Sequence, residues 1–265
     1  MSEVQNRSGE VLNLYKQVGE TPRERLERLR VQKPYYTHEV LSYAGRLDPM
    51  AEGVLLCLVG SANKRRETYL DMSKEYVLDV LFGFSTDTYD ILGRVMDSGG
   101  ASGVTPAQIK KALNEFRGTV PMEYPPFSSK TVEGKPLFEW ARALSGQGGA
   151  LSALVLPRRT VIVYDIACTG FYKVEESDLI AYIEEKVGKV QGDFRQEEVL
   201  RLWKRMLKAS GGREFPAATI KISCSSGTYA RSIANGLGKE LGVPALALHI
   251  LRTKVGEYEV EKSLR

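Results

Sequence analysis

The sequence predicts an α+β fold. Stretches with strand character alternate along the chain with amphipathic helices that carry capping signals. The chain has 265 residues, of which 43% are hydrophobic and 26% are charged, so it can bury a substantial core. This pattern leaves the order of the strands in the sheet open.

The N-terminal part predicts a strand and a capped helix. After a loose tail at residues 1–10, residues 11–15 form a short apolar run that is typical of a strand. Thr21 followed by Pro22 and Glu24 is the signature of a helix start with a capping box. Four arginines take the faces of this helix that Leu26 and Leu29 leave free: Arg23, Arg25, Arg28 and Arg30. They are either a solvated face or a strip that faces phosphate groups.

A loop and a buried strand follow, and the loop carries one carboxylate. Residues 54–59 are continuously apolar, as expected of a strand that is buried on both faces. Residues 45–53 form a loop bounded by glycines, and this loop contains Asp48. An Asp-Pro pair on its own is usually a turn, because aspartate bonds to its own backbone and proline presets φ. The alternative is a catalytic carboxylate that a loop holds against a rigid strand.

The middle of the chain predicts a second strand at residues 76–84, with Tyr76 at its start, and a polar loop at residues 85–93. Thr105 opens another capped helix, and a further helix is expected at residues 136–144. A glycine-rich loop spans residues 146–150. It lacks the strand and helix that a nucleotide-binding glycine motif requires, so we expect no nucleotide cofactor.

The C-terminal part adds strands at residues 159–168 and 219–224, with helical segments between them at residues 175–212. One of those helices has an apolar stripe around Trp203, and basic residues surround the stripe: Arg195, Arg201, Lys204, Arg205 and Lys208. A helix that carries Arg231 ends near Gly242. A last apolar stretch covers residues 246–252.

Composition excludes several classes of function. The net charge of +4 does not by itself require a nucleic acid. The three cysteines are far apart and lack metal-ligand spacing, and two histidines give little support to a zinc site or a serine hydrolase. The sequence shows neither a signal segment nor a membrane span. We therefore expect a cytoplasmic protein without a metal or a small-molecule cofactor.

Four motifs occur in a fixed order, and together they resemble the TruB family of tRNA pseudouridine synthases. They are Gly45-x-Leu47-Asp48-Pro49-x-Ala51-x-Gly53-Val54-Leu55, Thr86-Asp87-Thr88-x-Asp90-x-x-Gly93, Pro125-Pro126-x-x-Ser129-Lys130-x-x-Gly134 and Cys224-Ser225-x-Gly227-Thr228-Tyr229-x-Arg231. The resemblance runs from about residue 12 to about residue 258. It implies the pseudouridine synthase fold, with a central mixed and mostly antiparallel sheet flanked by helices and loops.

The resemblance also implies an activity and a set of site residues. Such enzymes cut the bond between C1′ and N1 of a uridine in RNA and rejoin the uracil through C5, usually at uridine 55 in the T loop of tRNA. Asp48 corresponds to the catalytic aspartate, Tyr76 to the active-site tyrosine and Arg231 to the arginine that pairs with the aspartate. Substrate-binding positions are expected at Tyr43, Lys64, Asp90, Lys130 and Leu251. The implied partner is the T arm of tRNA, bound by a monomer.

The sequence departs from the family in three places. Ser42 and Tyr43 stand where the family usually has Gly-His. Residues 1–265 are expected to form a single catalytic domain without the C-terminal PUA domain that is common in the family. An insertion at about residues 175–216 is unusual and basic in its middle, and our hypothesis is that it replaces part of an RNA-binding surface.

Two other functions stay open at this point. The chain could act on a different uridine, in another tRNA or in rRNA. Alternatively, it could be an RNA-binding or RNA-folding protein without chemistry. A guide-RNA-dependent subunit is less favoured, because those relatives use the PUA extension. Retention of Asp48, Tyr76 and Arg231 favours catalysis.

Overall fold

A long mixed sheet forms the centre of the protein. The computed structural model describes residues 9–146, 154–209, 211 and 213–265. The tail predicted at residues 1–10 and the glycine-rich loop predicted at residues 146–150 lie largely outside the described residues. No helix in the described ranges is both long and apolar enough to cross a membrane.

The described chain contains thirteen strands and seven α-helices, together with short 3-10 turns. The strands are β1 (Val11–Lys16), β2 (Leu41–Ala44), β3 (Ala51–Val59), β4 (Lys74–Phe82), β5 (Phe84–Thr86), β6 (Val95–Ser98), β7 (Gly118–Glu123), β8 (Thr131–Val132), β9 (Lys135–Pro136), β10 (Arg158–Glu175), β11 (Glu214–Cys224), β12 (Ala245–Val255) and β13 (Tyr258–Glu259). The helices are α1 (Pro22–Gln32), α2 (Arg66–Leu70), α3 (Pro106–Ala112), α4 (Leu137–Gly146), α5 (Glu176–Gly188), α6 (Gln196–Lys208) and α7 (Ala230–Leu241).

Nine of these strands form one sheet, whose main path runs in the order β1-β3-β12-β4-β11-β10-β7. β2 joins it beside β3, and β13 joins beside β12. The pairing between β3 and β12 is parallel, and the other pairings in the sheet are antiparallel. The prediction of a mixed, mostly antiparallel sheet is therefore confirmed.

Helices cover both faces of this sheet. On one face, Ile233 and Leu237 of α7 share a buried cluster with Leu78 of β4. On the other face, Trp203 of α6 shares a second cluster with Leu81 of β4. Leu78 and Leu81 reach opposite faces because the side chains of a strand alternate. The helical segment formed by α5 and α6 is thus part of the core.

The structure confirms the capping box predicted for α1, but it does not confirm the basic strip predicted on the surface of that helix. The Glu24 N–H donates to Thr21 Oγ1 at 3.2 Å, and the Thr21 N–H donates to Glu24 Oε2 at 2.6 Å. Arg25 was expected on a solvated or phosphate-facing side, which is wrong. Its side chain is fully buried, and it donates from Nε to Tyr15 O at 2.8 Å and from Nη2 to Leu264 O at 2.9 Å. Arg25 therefore joins α1 to the strand edge and to the C-terminal residues.

His249 of β12 lies in a charged cluster within the sheet. Its Nε2 is 2.8 Å from Glu52 Oε1, and its Nδ1 is 3.6 Å from Asp79 Oδ2. Tyr15 also hydrogen-bonds to Glu52, and Lys186 of α5 adds a positive charge near it. Burial alone would lower the pKa of His249, but its bonds to Asp79 and Glu52 raise it to about 9.

Substituting His249→Gln tests this cluster through pH. A histidine whose folded pKa exceeds its unfolded value stabilises the fold fully below about pH 6.5 and loses that contribution as the pH rises through about 9. The difference in unfolding free energy between the wild type and His249→Gln should therefore shrink by about 2 kcal/mol between pH 6 and pH 10. Urea denaturation at a series of pH values measures it. The exposed His38, changed to Gln, is the matched control, and a constant difference for His249→Gln would contradict the account.

Candidate active site

Asp48 lies on a loop whose carbonyl oxygens accept hydrogen bonds from two buried basic side chains. Arg252 of β12 donates from Nη2 to Gly45 O at 2.9 Å. Lys16, at the end of β1, donates from Nζ to Ala51 O at 2.6 Å. Both side chains are almost completely buried. Movement of the loop would leave these buried donors without acceptors, which is costly, so the bonds keep Asp48 in place.

Arg231, in the first turn of α7, forms an ion pair with Asp48. Its Nε and Nη2 atoms each lie 2.8 Å from Asp48 Oδ2. The Arg231 side chain is 3% exposed, whereas that of Asp48 is 27% exposed. Among the described residues, no hydrogen bond engages Asp48 Oδ1. One oxygen of the carboxylate is therefore held by the arginine, and the other is available to a bound molecule.

Two backbone carbonyl groups complete the hydrogen bonding of Arg231. Its Nη1 donates to Thr88 O at 2.6 Å, and its Nη2 donates to Phe127 O at 3.2 Å. Thr88 belongs to the loop between β5 and β6, and Phe127 follows β7. Since a guanidinium group is planar and its donors have fixed directions, these bonds set the orientation of Arg231 toward Asp48.

Asp90 is a second carboxylate beside the same arginine. Its Oδ2 is 3.6 Å from Arg231 Nε, and its Oδ1 accepts hydrogen bonds from Thr88 Oγ1 at 2.6 Å and from the Leu92 N–H at 3.0 Å. Burial raises the pKa of Asp90 to about 6, although the charge of Arg231 opposes that shift. Burial would also lower the pKa of Arg231, but the charges of Asp48 and Asp90 raise it above its ordinary value. The arginine therefore stays charged between them.

Asp48 and Arg231 line two cavities. One, of about 350 Å³, is also lined by Tyr76, Tyr229 and Ile250 and is called the Tyr76 cavity. The other, of about 320 Å³, is called the Arg195 cavity; it is also lined by Tyr43, Asp90, Phe127, Phe138 and Arg195. Both volumes suit a small organic group such as a single nucleobase with its sugar. In the described ranges, no group of three or more His, Cys, Asp or Glu side chains is placed to hold a metal ion.

Tyr76 lies in β4 and is 8% exposed. Burial raises the pKa of Tyr76 above its usual value, so its phenol is neutral at physiological pH. A neutral phenol offers an aromatic face, one donor and one acceptor, but not a negative charge. Tyr76, which the resemblance implies as the active-site tyrosine, lines one cavity together with Asp48.

The structure separates the five predicted substrate-binding residues. Tyr43 lines the Arg195 cavity, where its hydroxyl accepts a hydrogen bond from Arg46 Nη2 at 3.2 Å, and Asp90 lines the same cavity. Lys64 and Lys130 are exposed and line neither cavity.

Leu251 was expected to line the pocket, but it is half-buried and lines neither of the two cavities. Ile250, its neighbour in β12, lines the Tyr76 cavity. Successive side chains of a strand point to opposite faces, so a shift of one residue exchanges the two. Ile250 and Arg252 lie two residues apart in β12, so their side chains share a face. The buried charge of Arg252 is the signal that could have indicated that Ile250, and not Leu251, lines the cavity.

Two basic side chains that support the site, those of Lys16 and Arg252, were not predicted from the sequence. Lys16 and Arg252 each stand at the end of an apolar run, and a charged residue that continues a buried strand is the pattern that could have revealed them. Arg195, which lines the cavity named after it, was grouped with the basic residues of the insertion. Nothing in its local sequence separates it from the others.

Comparison with known proteins points to one family. Residues 33–189 match the family description TruB family pseudouridylate synthase (N terminal domain). Two curated relatives are both named tRNA pseudouridine synthase B. The one from Gloeobacter violaceus is 31% identical over 96% of this chain and 70% of its own length, and the one from Bacillus subtilis is 29% identical over 95% of this chain and 67% of its own length.

Solved structures support the same fold. A chain from a Cbf5-Nop10-Gar1 complex matches with a TM-score of 0.56 and 19% identity, over 95% of this chain and 50% of that chain. A chain from an H/ACA RNP bound to a substrate RNA containing 2′-deoxyuridine matches with a TM-score of 0.53 and 19% identity, over 96% of this chain and 50% of its own length. The present chain thus spans about half the length of these structural neighbours. On the family match and the sequence identity, the protein belongs to the TruB family of pseudouridylate synthases.

Proposed function

We propose that this protein converts uridine to pseudouridine in tRNA, and that its target is uridine 55 in the T loop. The observation that carries the proposal is the Asp48–Arg231 pair, in which one carboxylate oxygen is bound and the side chain remains 27% exposed where two cavities meet. Membership of the family supports the reaction, and the names of the curated relatives support tRNA as its substrate.

The chemistry needs a carboxylate beside the sugar. A uridine must first leave its base stack, since no side chain reaches C1′ inside folded RNA. The bond from C1′ to N1 then breaks and a bond from C1′ to C5 forms, with loss of the proton from C5 and gain of one at N1. Asp48 can attack C1′, stabilise an oxocarbenium-like centre or remove a sugar proton, and related physics operates in glycosidases. The isomerisation is neutral in electrons and consumes no second substrate.

The surrounding residues receive distinct roles in this proposal. Arg231 keeps Asp48 ionised and aimed through charge-assisted hydrogen bonds. Tyr76 stacks on the extruded base, and its neutral phenol can donate or accept a hydrogen bond. Ile250, in place of the predicted Leu251, offers an apolar surface that keeps water from the detached uracil. The target nucleoside therefore occupies the Tyr76 cavity.

The wider interaction with RNA rests on exposed groups. Lys64 and Lys130 lie outside both cavities and are exposed, so we assign them to phosphates of the T arm. Tyr43 lines the Arg195 cavity, where an aromatic ring could stack on a neighbouring base. We further propose that the protein acts as a cytoplasmic monomer.

The alternatives make different demands on the site. Another uridine in tRNA or rRNA would use the same chemistry with a different surface. A protein that only binds or folds RNA has no need of a desolvated ion pair at a cavity wall, and such a pair stabilises a fold little. The buried Arg231 beside the partly exposed Asp48 therefore favours catalysis.

The Asp48→Asn variant should lose pseudouridine formation and still bind tRNA. The amide retains the size of the side chain but loses the charge, so pseudouridine formation at position 55 of a tRNA transcript should fall by about 10³-fold or more, while tRNA affinity changes by about twofold at most. Mapping of pseudouridines and a binding titration measure the two quantities. Asp165→Asn, at an exposed carboxylate that pairs with Arg117, is the matched control.

Two results would go against this assignment. Unchanged pseudouridine formation in Asp48→Asn would remove Asp48 from the reaction. Modification by the wild type at a uridine other than 55, with position 55 left unmodified, would favour the alternative target.

Arg231→Lys should retain a positive charge and still lose most of the activity. Lysine has no planar fork, so it cannot bind Asp48, Thr88 O and Phe127 O at once. We expect the single-turnover rate to fall by about 10²-fold with a folded protein. A rapid-quench assay and a thermal melt measure this, with Arg201→Lys on the exposed side of α6 as the control. A rate equal to that of the wild type would show that charge alone suffices.

A further inference from the structure

Arg195 has an unusual backbone for an arginine. It stands between α5 and α6 at the start of α6, with φ of 63° and ψ of 29°, in the left-handed region. A residue with a Cβ pays a conformational cost there, and such strain persists only where surrounding contacts impose it. The side chain of Arg195 supplies those contacts.

The guanidinium group of Arg195 binds one buried carboxylate and covers one ring. Nη1 donates to Asp87 Oδ2 at 2.7 Å, and Nη2 donates to Asp87 Oδ1 at 3.3 Å. The Asp87 side chain has no exposed surface. The Cζ atom of Arg195 lies 4.5 Å from the centroid of the Phe127 ring, which is cation–π distance. Arg195 therefore joins the loop between β5 and β6 to the segment after β7.

These two segments are the ones that hold Arg231. Asp87 immediately precedes Thr88, whose carbonyl oxygen accepts from Arg231 Nη1, and the carbonyl oxygen of Phe127 accepts from Arg231 Nη2. Arg195 of the α5–α6 segment therefore contacts both segments whose carbonyl groups orient Arg231. It does so through the side chains of Asp87 and Phe127.

The same contacts argue against a direct role of Arg195 in binding phosphate. Two of its N–H groups are engaged by Asp87, one face lies over Phe127, and its side chain is 19% exposed. Other cations of the segment also pair internally: Lys204 Nζ lies 2.6 Å from Glu184 Oε1, and Lys189 Nζ lies 2.5 Å from Glu185 Oε1. The segment has less free positive charge than its sequence indicates.

We propose that Arg195 is a positioning residue of the reaction: through Asp87 and Phe127 it fixes the carbonyl groups that aim Arg231, and through Arg231 it aims Asp48. This inference rests on the proposed function. It makes the α5–α6 segment a part of the catalytic apparatus. Deletion of the whole segment would remove Trp203 and uncover the core against which it packs, so the test uses point substitutions.

The experiment compares Arg195→Met, Arg195→Lys and the control Arg201→Met in the full-length protein. Three quantities are measured with a tRNA transcript: the single-turnover rate of pseudouridine formation at saturating protein, the dissociation constant and the melting temperature. Arg195→Met should lower the rate by about tenfold or more and change the dissociation constant by about twofold at most. Arg94 still pairs with Asp87 at 3.2 Å, which helps the variant to fold.

Arg195→Lys should lie between the wild type and Arg195→Met, because lysine restores the charge but neither the fork nor the stacked face. Should Arg195→Met fail to fold, Arg195→Lys carries the same comparison. Arg201→Met, on the exposed side of α6, should keep the wild-type rate at saturating protein.

A double substitution separates positioning from general damage. Asp87→Asn breaks the same link from the other side, so Asp87→Asn combined with Arg195→Met should be about as slow as the slower single variant. If the rate losses of the two single variants multiply in the double variant, the two substitutions act independently, and this result would overturn the proposal.

Other outcomes are equally decisive. A weaker complex with an unchanged rate would make Arg195 an RNA contact and overturn the proposal. An unchanged rate and affinity would overturn it as well. A wild-type protein that forms no pseudouridine would contradict the proposed function itself, whereas an active wild type with an equally fast Arg195→Met variant contradicts this inference alone.

Discussion

The ion pair between Asp48 and Arg231 is the constraint on which the rest of the site depends. Arg231 is desolvated, and a buried charge is tolerated only when all its donors find acceptors. Those acceptors come from three places in the chain: the Asp48 loop, Thr88 and Phe127. The folding of α7 against the sheet therefore brings together three loops that are distant in sequence, and the meeting of these loops creates both cavities.

The central sheet holds the loop that carries Asp48, and it thereby supports the Asp48–Arg231 pair. The Asp48 loop enters β3, whose residues from Val54 to Val59 are fully buried, and the parallel neighbour β12 supplies Arg252 to the carbonyl groups of the loop. Lys16 does the same from β1 on the other side of β3. A carboxylate on such a loop has little freedom, and catalysis by a placed carboxylate depends on that restriction.

Local patterns in the sequence predicted much of this arrangement. The apolar run of β3, the capping boxes at Thr21 and Thr105, and the end of α7 at Gly242 are short-range signals, and the structure confirms them. The family and its fold were predicted from four ordered motifs, and the comparisons confirm both. The catalytic roles, the single-domain organisation, the monomeric state and the cellular location stay predictions.

What the sequence concealed depends on tertiary contacts. Arg25 and Arg195 look like surface cations, yet Arg25 is buried against the strand edge and Arg195 is bound to the buried Asp87, because their partners are remote in the chain. Ile250 was missed by one residue, since the direction of a side chain depends on strand register and not on composition.

The most direct test of the account is a crystal structure of the Asp48→Asn variant bound to a T-arm RNA. We predict an extruded uridine in the Tyr76 cavity, with its C1′ at about 3–4 Å from the residue 48 side chain and Arg231 still bonded to Thr88 O and Phe127 O. A uridine whose C1′ lies beyond the reach of residue 48 would contradict the central role of Asp48, and one held in the Arg195 cavity would contradict the assignment of the target nucleoside to the Tyr76 cavity.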